Sequence, residues 1–390
     1  MVTLVLALAP ALPAVAQEPA ASDLAADSLA PDFALRRAGA VLRWHVITRE
    51  LVGRQLARRS GGQPATFYDG NNNTRLYALV AGAQYDALRR ARPPLADAAS
   101  SAAAAAVLQA IFPQDSSYLD AAAVAERDRL LEAGASSGAI ADAGRAGRRA
   151  AGRWVRRARA EERTPQWSGE PPSGPEYWRG ENGPPSLAIS IELRPWFLKS
   201  ARQFRPPPPP AVGSAAFRAA LAEVRTATAG RTRPETRASW AWARNAATLW
   251  SEIAGDLIIR EHLSELQAAR ALMYLNMALS DATIACWDAK LTYWYPRPSQ
   301  ADPALDLSVP LPNFPSYPSA HATLFAAGSA VLGQLVPTER VRLDSLAREA
   351  TMSRLWAGVH YPFDNEAGVR LGRDVARLAL AALDADERVR

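Results

Sequence analysis

A chain of 390 residues with a formal net charge of +6, one cysteine and four histidines has room for an ample core in one large or two smaller domains. Cys286 has no partner for an intrachain disulfide, and no His-Glu-x-x-His, cysteine cluster or carboxylate cluster points to a cationic metal. All but two of the 45 basic residues are arginine, so the lysines, Lys199 and Lys290, stand out, because a compact ammonium and a planar guanidinium are not interchangeable at an anion site.

At the N-terminus, the apolar run Val2 to Leu12 precedes Ala14-Val15-Ala16 and Gln17, the small-x-small form of a signal-peptidase site. Residues 1–16 therefore read as a signal peptide and the protein as exported, periplasmic or secreted. Residues 17–31, rich in Ala, Ser, Asp and Pro, read as a flexible lead-in. An N-terminal helical region follows over 32–163. Apolar spacing (Phe33, Leu35, Val41, Leu42, Val46, Leu51) predicts a helix from Pro31 to about Arg59, with further helices at about 75–92, 94–112, 117–134 and 138–162. The last holds the densest basic run, Arg145, Arg148, Arg149, Arg153, Arg156, Arg157, Arg159 and Arg163. It reads as a solvated helix face, since no nucleic-acid-binding motif accompanies it.

Residues 164–214 break the pattern as a Pro/Gly-rich connector ending in Arg205 and the stiff polyproline II run Pro206 to Pro210. Helices resume over 215–390, at about 215–230, 234–254 and 258–287. A Pro-rich loop (296–318) leads to a helix from Ser319 to about Leu335, and two more follow at roughly 338–357 and 364–384. Beyond the N-terminus no apolar run reaches the roughly 20 residues of a membrane span, and no strand alternation is visible. The fold class is all-α: a catalytic helical bundle behind an N-terminal helical extension.

Three blocks in the last bundle carry chemistry. Lys290 and Arg297 are separated by six residues, and Pro296 and Pro298 flank the arginine. A continuous helix face is excluded, the chain turns, and both cations can face one site, a point charge beside a fork of donors. In Pro318-Ser319-Ala320-His321, Ser319 is a good N-cap before the apolar face of Leu324, Phe325, Val331 and Leu332. Such a helix N-terminus favours an anion. In the third block Arg354 adds another fork, and His360 and Asp364 lie four apart around Pro362. That proline argues for a turn with Asp364 capping the next helix, and a carboxylate near an imidazole fixes its tautomer and raises its basicity. Taken singly, each block has a plainer reading as solvated cations, a helix cap or a surface histidine. The other two histidines, His45 and His262, read as structural, and Ser319 is not in a Gly-x-Ser-x-Gly elbow, which argues against a serine hydrolase.

In this order and spacing, Lys-x6-Arg-Pro, Pro-Ser-(Gly)-His and Ser-Arg-x5-His-x3-Asp resemble the signature of the superfamily that joins type 2 phosphatidic acid phosphatases, bacterial class A acid phosphatases and vanadium-dependent haloperoxidases. The resemblance runs from roughly Trp287 to Gly368, with Ala320 where the family usually has glycine. It implies that Lys290, Arg297, Ser319, the Ala320 N–H and Arg354 hold a tetrahedral phosphate or vanadate. It also implies that His360 bonds the central atom, as phosphohistidine in a phosphatase or as the ligand of vanadium in a haloperoxidase. His321 is then the acid–base, and Asp364 supports His360. With alanine at 320 the backbone there must keep φ below zero.

Both activities share one anion site, so the blocks alone do not separate them. Trp287, three before Lys290, and Phe314, seven before His321, occupy places where fungal-type chloroperoxidases have a Trp and a Phe lining the halide side. The long helical extension also resembles haloperoxidases more than compact acid phosphatases, whereas Pro296 stands where haloperoxidases often have Trp. The reading is an exported vanadium-dependent haloperoxidase with vanadate as cofactor and peroxide and halide as substrates. A soluble exported phosphomonoesterase without cofactor and a non-catalytic phosphate or vanadate binder remain the alternatives. Neither nucleic acid nor an integral membrane span is expected.

Overall fold

The computed structural model describes residues 38–60, 68, 70–91, 95–164, 167–180 and 185–388. The expected signal peptide and lead-in lie outside them. Among the described residues the regular structure is helical, with no strand.

The N-terminal half contributes α1 (Ala40–Ser60), α2 (Asn73–Leu88), α3 (Ala96–Ile111), α4 (Ser116–Glu132) and α5 (Ser137–Glu161). The C-terminal half contributes α6 (Ala215–Ala229), α7 (Arg233–Ala241), α8 (Ala246–Arg260), α9 (Glu265–Tyr293), the single turn α10 (Pro298–Ala301), α11 (Ala320–Leu335), α12 (Arg340–Trp356) and α13 (Pro362–Arg388). No described helix is long and apolar enough to cross a membrane. The start expected at Pro31 for the first helix lies outside the described residues, and Ala38 and Gly39 precede α1 without helical structure; two further boundaries differ from the sequence expectation. The helix expected over 234–254 is two, because the Asn245 side chain accepts the Thr248 N–H at 3.1 Å and starts a new helix, α8. The helix expected over 258–287 starts later and runs past Lys290. His262 takes φ +50°, and Ser264 with Gln267 forms a capping box that begins α9.

The central element is α9, whose residues from Ala268 to Trp287 are buried. It packs on α2, α11 and α13, and α2 in turn packs on α3 and α5. Residues of both halves therefore share one apolar core. Small residues allow the closest approaches. A Cβ on Gly147 of α5 would lie 2.0 Å from the Ala99 carbonyl oxygen of α3, and one on Gly372 of α13 would lie 2.1 Å from the Thr323 oxygen of α11.

The connector is held down rather than free. Trp178 N–H donates to the Trp294 carbonyl at 2.6 Å, and Ser186 N–H to that of Asn313 at 2.8 Å. The buried Asp281 carboxylate of α9 accepts the N–H groups of Trp196, Phe197 and Leu198 at 2.8, 2.7 and 3.0 Å. Three tyrosine hydroxyls then grip the polyproline run: Tyr293 on Pro206 O at 2.6 Å, Tyr317 on Pro207 O at 2.8 Å and Tyr295 on Pro210 O at 2.6 Å. All three come from the first two motif blocks or their borders, so the connector braces the loops that carry the site.

Candidate active site

Helix α9 ends within the first block. Trp294 adopts the left-handed conformation (φ +49°) and returns its N–H to the Lys290 carbonyl at 2.9 Å. That turn brings Arg297 back beside Lys290, and both are fully buried. The Lys290 ammonium donates to the carbonyls of Pro315, Ser316 and Pro318 at 2.6, 2.9 and 2.7 Å. Its three hydrogens are thereby used, so Lys290 clamps the loop before α11 and acts on an anion as charge. Burial pushes its pKa down to about 7. Arg297 donates from Nε to Phe314 O at 3.0 Å and from Nη1 to Val359 O at 2.7 Å. Its Nη2 is buried without a partner among the described residues. Burial drives the Arg297 pKa down to about 9 and that of Arg354 to about 10. A guanidinium stays charged regardless, so both are charged groups taken out of water by burial.

Arg354, near the end of α12, donates from Nε to Ser353 Oγ at 3.0 Å and from Nη2 to Ser239 O at 2.8 Å. Ser319 is the N-cap of α11, accepting the Ala322 N–H at 3.4 Å, and its own N–H donates to the Asp364 carbonyl at 2.9 Å. Ala320 has negative φ, as required of a non-glycine here. As the first residue of α11 it has an N–H with no helical acceptor.

His360 is buried between a carboxylate and a guanidinium. Its Nδ1 lies 2.9 Å from Asp364 Oδ2 and its Nε2 lies 3.0 Å from Arg297 Nη1. An arginine N–H only donates, so Nε2 is the acceptor. Nδ1 therefore carries the proton and gives it to Asp364, leaving a lone pair on Nε2 toward the cation cluster. Burial and then Arg297, Lys290 and Arg354 hold the His360 pKa well below its ordinary value. Asp364 differs from the expected cap. It sits inside the first turn of α13, which starts at Pro362, and Oδ2 accepts the Tyr361 N–H at 3.1 Å from there. Burial raises its pKa to about 6, opposed by its hydrogen bond from Ser316 and the charges of Lys290 and Arg297.

Sequence reasoning missed Ser316. Its buried hydroxyl donates to Asp364 Oδ2 at 2.6 Å and lies 3.5 Å from His360 Nδ1. The only clue was a hydroxyl residue three before Ser319.

His321 is half-buried on the first turn of α11, with Nε2 3.2 Å from the Arg244 carbonyl. A carbonyl accepts, so Nε2 bears the hydrogen and Nδ1 is the basic atom. Burial and Arg354 lower its pKa to about 3. Trp287 and Phe314 meet with ring centroids 5.2 Å apart. The Phe314 ring lies 5.0 Å from Lys290 Nζ and 5.0 Å from Arg297 Cζ, and the Trp287 indole N–H is spent on Ser186 O at 2.8 Å. Of the expected site residues only His321 and Phe314 keep appreciable exposure. His45 is held by Ser251 in the core, and His262 lies exposed in the turn before α9.

Known proteins resemble this chain in sequence and in fold. Residues 270–387 match the profile of the PAP2 superfamily. Over 78 residues, 20% of this chain, the sequence is 37% identical to the decaprenylphosphoryl-5-phosphoribose phosphatase of two Mycobacterium tuberculosis strains. That stretch spans 42% of the phosphatase. A bacterial vanadium-dependent iodoperoxidase superposes with a TM-score of 0.63 at 23% identity, over 79% of this chain and 90% of that one. A bacterial vanadium-dependent chloroperoxidase superposes in its apo and holo forms with TM-scores of 0.65 and 0.64 at 15% identity, over 82% and 83% of this chain and 95% and 94% of those. Residues 270–387 are therefore similar to the PAP2 superfamily, and the all-helical fold is shared by these bacterial haloperoxidases.

Proposed function

We propose that this protein is a vanadium-dependent haloperoxidase that oxidises halide with hydrogen peroxide. The reading rests on one observation, a buried excess of positive charge. Among the described residues, Lys290, Arg297 and Arg354 are sealed in beside one buried carboxylate, that of Asp364, and Arg297 Nη2 is left unspent. A tetrahedral oxyanion offsets that excess and uses that donor. Vanadate would be held by Arg297 Nη2, Arg354, the Ser319 hydroxyl and the Ala320 N–H, with the lone pair of His360 Nε2 as its protein ligand. Bound there, it supplies the centre at which peroxide is activated toward halide. Asp364 holds the proton on His360 Nδ1 and so keeps Nε2 available. His321, neutral in the free protein, takes a proton at Nδ1 as peroxide enters and returns it as hypohalous acid leaves. The Trp287–Phe314 wall lies against two of the cations, Lys290 and Arg297. The solved structures that share the fold over most of their length are named as haloperoxidases.

The second reading is a phosphomonoesterase, favoured by the phosphatase match and by the same Nε2 lone pair. Nε2 would attack phosphorus and the ester P–O bond would break, with a proton that the phosphomonoester monoanion brings to His321 Nδ1 passing to the departing alcohol; water would then hydrolyse phospho-His360 and return a proton to His321. A paired assay separates the two. One arm gives the purified protein vanadate, peroxide and bromide with a halogen acceptor, and the other gives a chromogenic phosphomonoester. Vanadate-dependent halogenation that disappears in His360→Ala supports the haloperoxidase. Phosphate release inhibited by vanadate, without halogenation, replaces it with the phosphatase. We also read residues 1–16 as an export signal, which expects a mature chain beginning at Gln17 on N-terminal sequencing.

A further inference from the structure

We propose that helix α5 is a docking face for an anionic phospholipid bilayer. The two sides of this helix have opposite compositions. One side is small and apolar, with Gly144, Gly147, Ala150, Ala151 and Ala158 buried together with Trp154. It is packed on α2 and α3 closely enough that a Cβ on Gly147 would overlap the Ala99 backbone. The other side is arginine. Arg145, Arg148, Arg149, Arg153, Arg156, Arg159 and the following Arg163 are all exposed. Arg145 pairs with Asp142 and Arg153 with Asp86. Arg148, Arg149, Arg156, Arg159 and Arg163 form no ion pair among the described residues.

Geometry selects the partner. At about 100° per residue, Arg148, Arg149, Arg156 and Arg159 fall within roughly 100° of arc, and at 1.5 Å per residue they span about 16 Å of axis. They form a broad, one-sided face on a rigid platform. A nucleic-acid groove would have to receive the helix from several sides, yet the far side of α5 is buried in the protein. A planar array of lipid phosphates meets the stripe without that requirement, and each guanidinium fork can engage a phosphate through two donors. An arginine held near an anionic leaflet favours the bound state roughly fivefold. The described contacts of α5 are with α2, α3 and α4 rather than with the helices of the anion site, so this surface and the catalytic reading stand independently.

The test is co-sedimentation of the full chain at physiological salt with vesicles of mixed phosphatidylglycerol and phosphatidylcholine, and with phosphatidylcholine alone. The quadruple variant Arg148→Glu, Arg149→Glu, Arg156→Glu and Arg159→Glu is compared with a charge-matched control reversing the exposed Arg202, Arg237, Arg348 and Arg373. The proposal expects binding to the anionic vesicles only, a loss of at least about 100-fold in the α5 variant and a much smaller loss in the control. Circular dichroism and thermal melting verify folding, and Arg→Gln at the same four positions replaces the variant if the reversals unfold it. Equal losses in variant and control would reduce the effect to net charge and overturn the proposal. Failure of the wild type to bind would overturn it as well, as would displacement of the protein from vesicles by a short DNA duplex.

Discussion

The chemistry of the site converges on one carboxylate oxygen. Asp364 Oδ2 receives the Ser316 hydroxyl at 2.6 Å, the His360 Nδ1–H at 2.9 Å and the Tyr361 N–H at 3.1 Å. Ser316 thus fixes where Asp364 points, and Asp364 fixes which nitrogen of His360 faces the cations. Removing a partner one bond away from a ligand typically costs 10- to 100-fold in affinity or rate. Ser316→Ala is therefore expected to weaken vanadate binding by about that factor, with turnover following, whereas Ser316→Thr retains most of both. Vanadate titration calorimetry beside the halogenation rate checks this. Equal damage from Thr and Ala would mean that the hydroxyl is not what matters. Most of the candidate site could be read in the sequence because its residues are chemically rare there: one of two lysines, two of four histidines, and arginines bracketed by proline or followed at fixed spacing by histidine. Ser316 could not. A serine among prolines looks like a turn residue until α13 brings Asp364 against it. The same holds for Lys290, whose charge was legible but whose three carbonyl partners depend on how the loop folds back.

At the level of elements, periodicity located most helices within a few residues, and its failures share a cause. Both misplaced boundaries lie where a side chain or a left-handed residue stops a helix without interrupting its apolar pattern, at Asn245 and at His262 with Ser264. The polyproline run was legible as rigid, but its three tyrosine partners lie far along the chain and were not. Helix contact also has a steric limit at the site. A Cβ on Gly368 of α13 would lie 2.6 Å from the Ser319 carbonyl oxygen and 2.9 Å from Ala322 Cβ. Gly368→Ala should cost about 1–3 kcal/mol through overpacking and should also lower vanadate affinity, since the strain falls on the residue that caps α11. Gly53→Ala at an exposed position of α1, where nothing lies within 4 Å, is expected instead to gain about 0.5–1 kcal/mol from helix propensity. Urea unfolding of the two variants reads both signs.

For the molecule as a whole, stability and pH are linked through buried imidazoles. His45 bridges α1 and α8, with Nε2 3.1 Å from Ser251 O and 2.9 Å from its hydroxyl, and burial lowers its pKa to about 4. A pKa depressed in the folded state contributes stability that is complete above the unfolded value of about 6.5 and is lost as pH falls toward about 4. His321 acts in the same direction, whereas Asp364, with its pKa raised to about 6, contributes stability that is lost as pH rises. The comparison that isolates His45 is wild type against His45→Gln. Their difference in unfolding free energy should shrink by up to about 3 kcal/mol between pH 7 and pH 4, as followed by urea titration at each pH. No such effect was visible in the sequence, where His45 was one more residue of an amphipathic helix. The scarcity of lysine has a practical consequence. Lys290 is sealed in the core while Lys199 is exposed within the connector. Apart from the chain's own α-amino group, a reagent directed at primary amines thus finds one accessible side-chain address. Coupling through Lys199 would attach a dye or a solid support at a single position, so that immobilised molecules share one orientation.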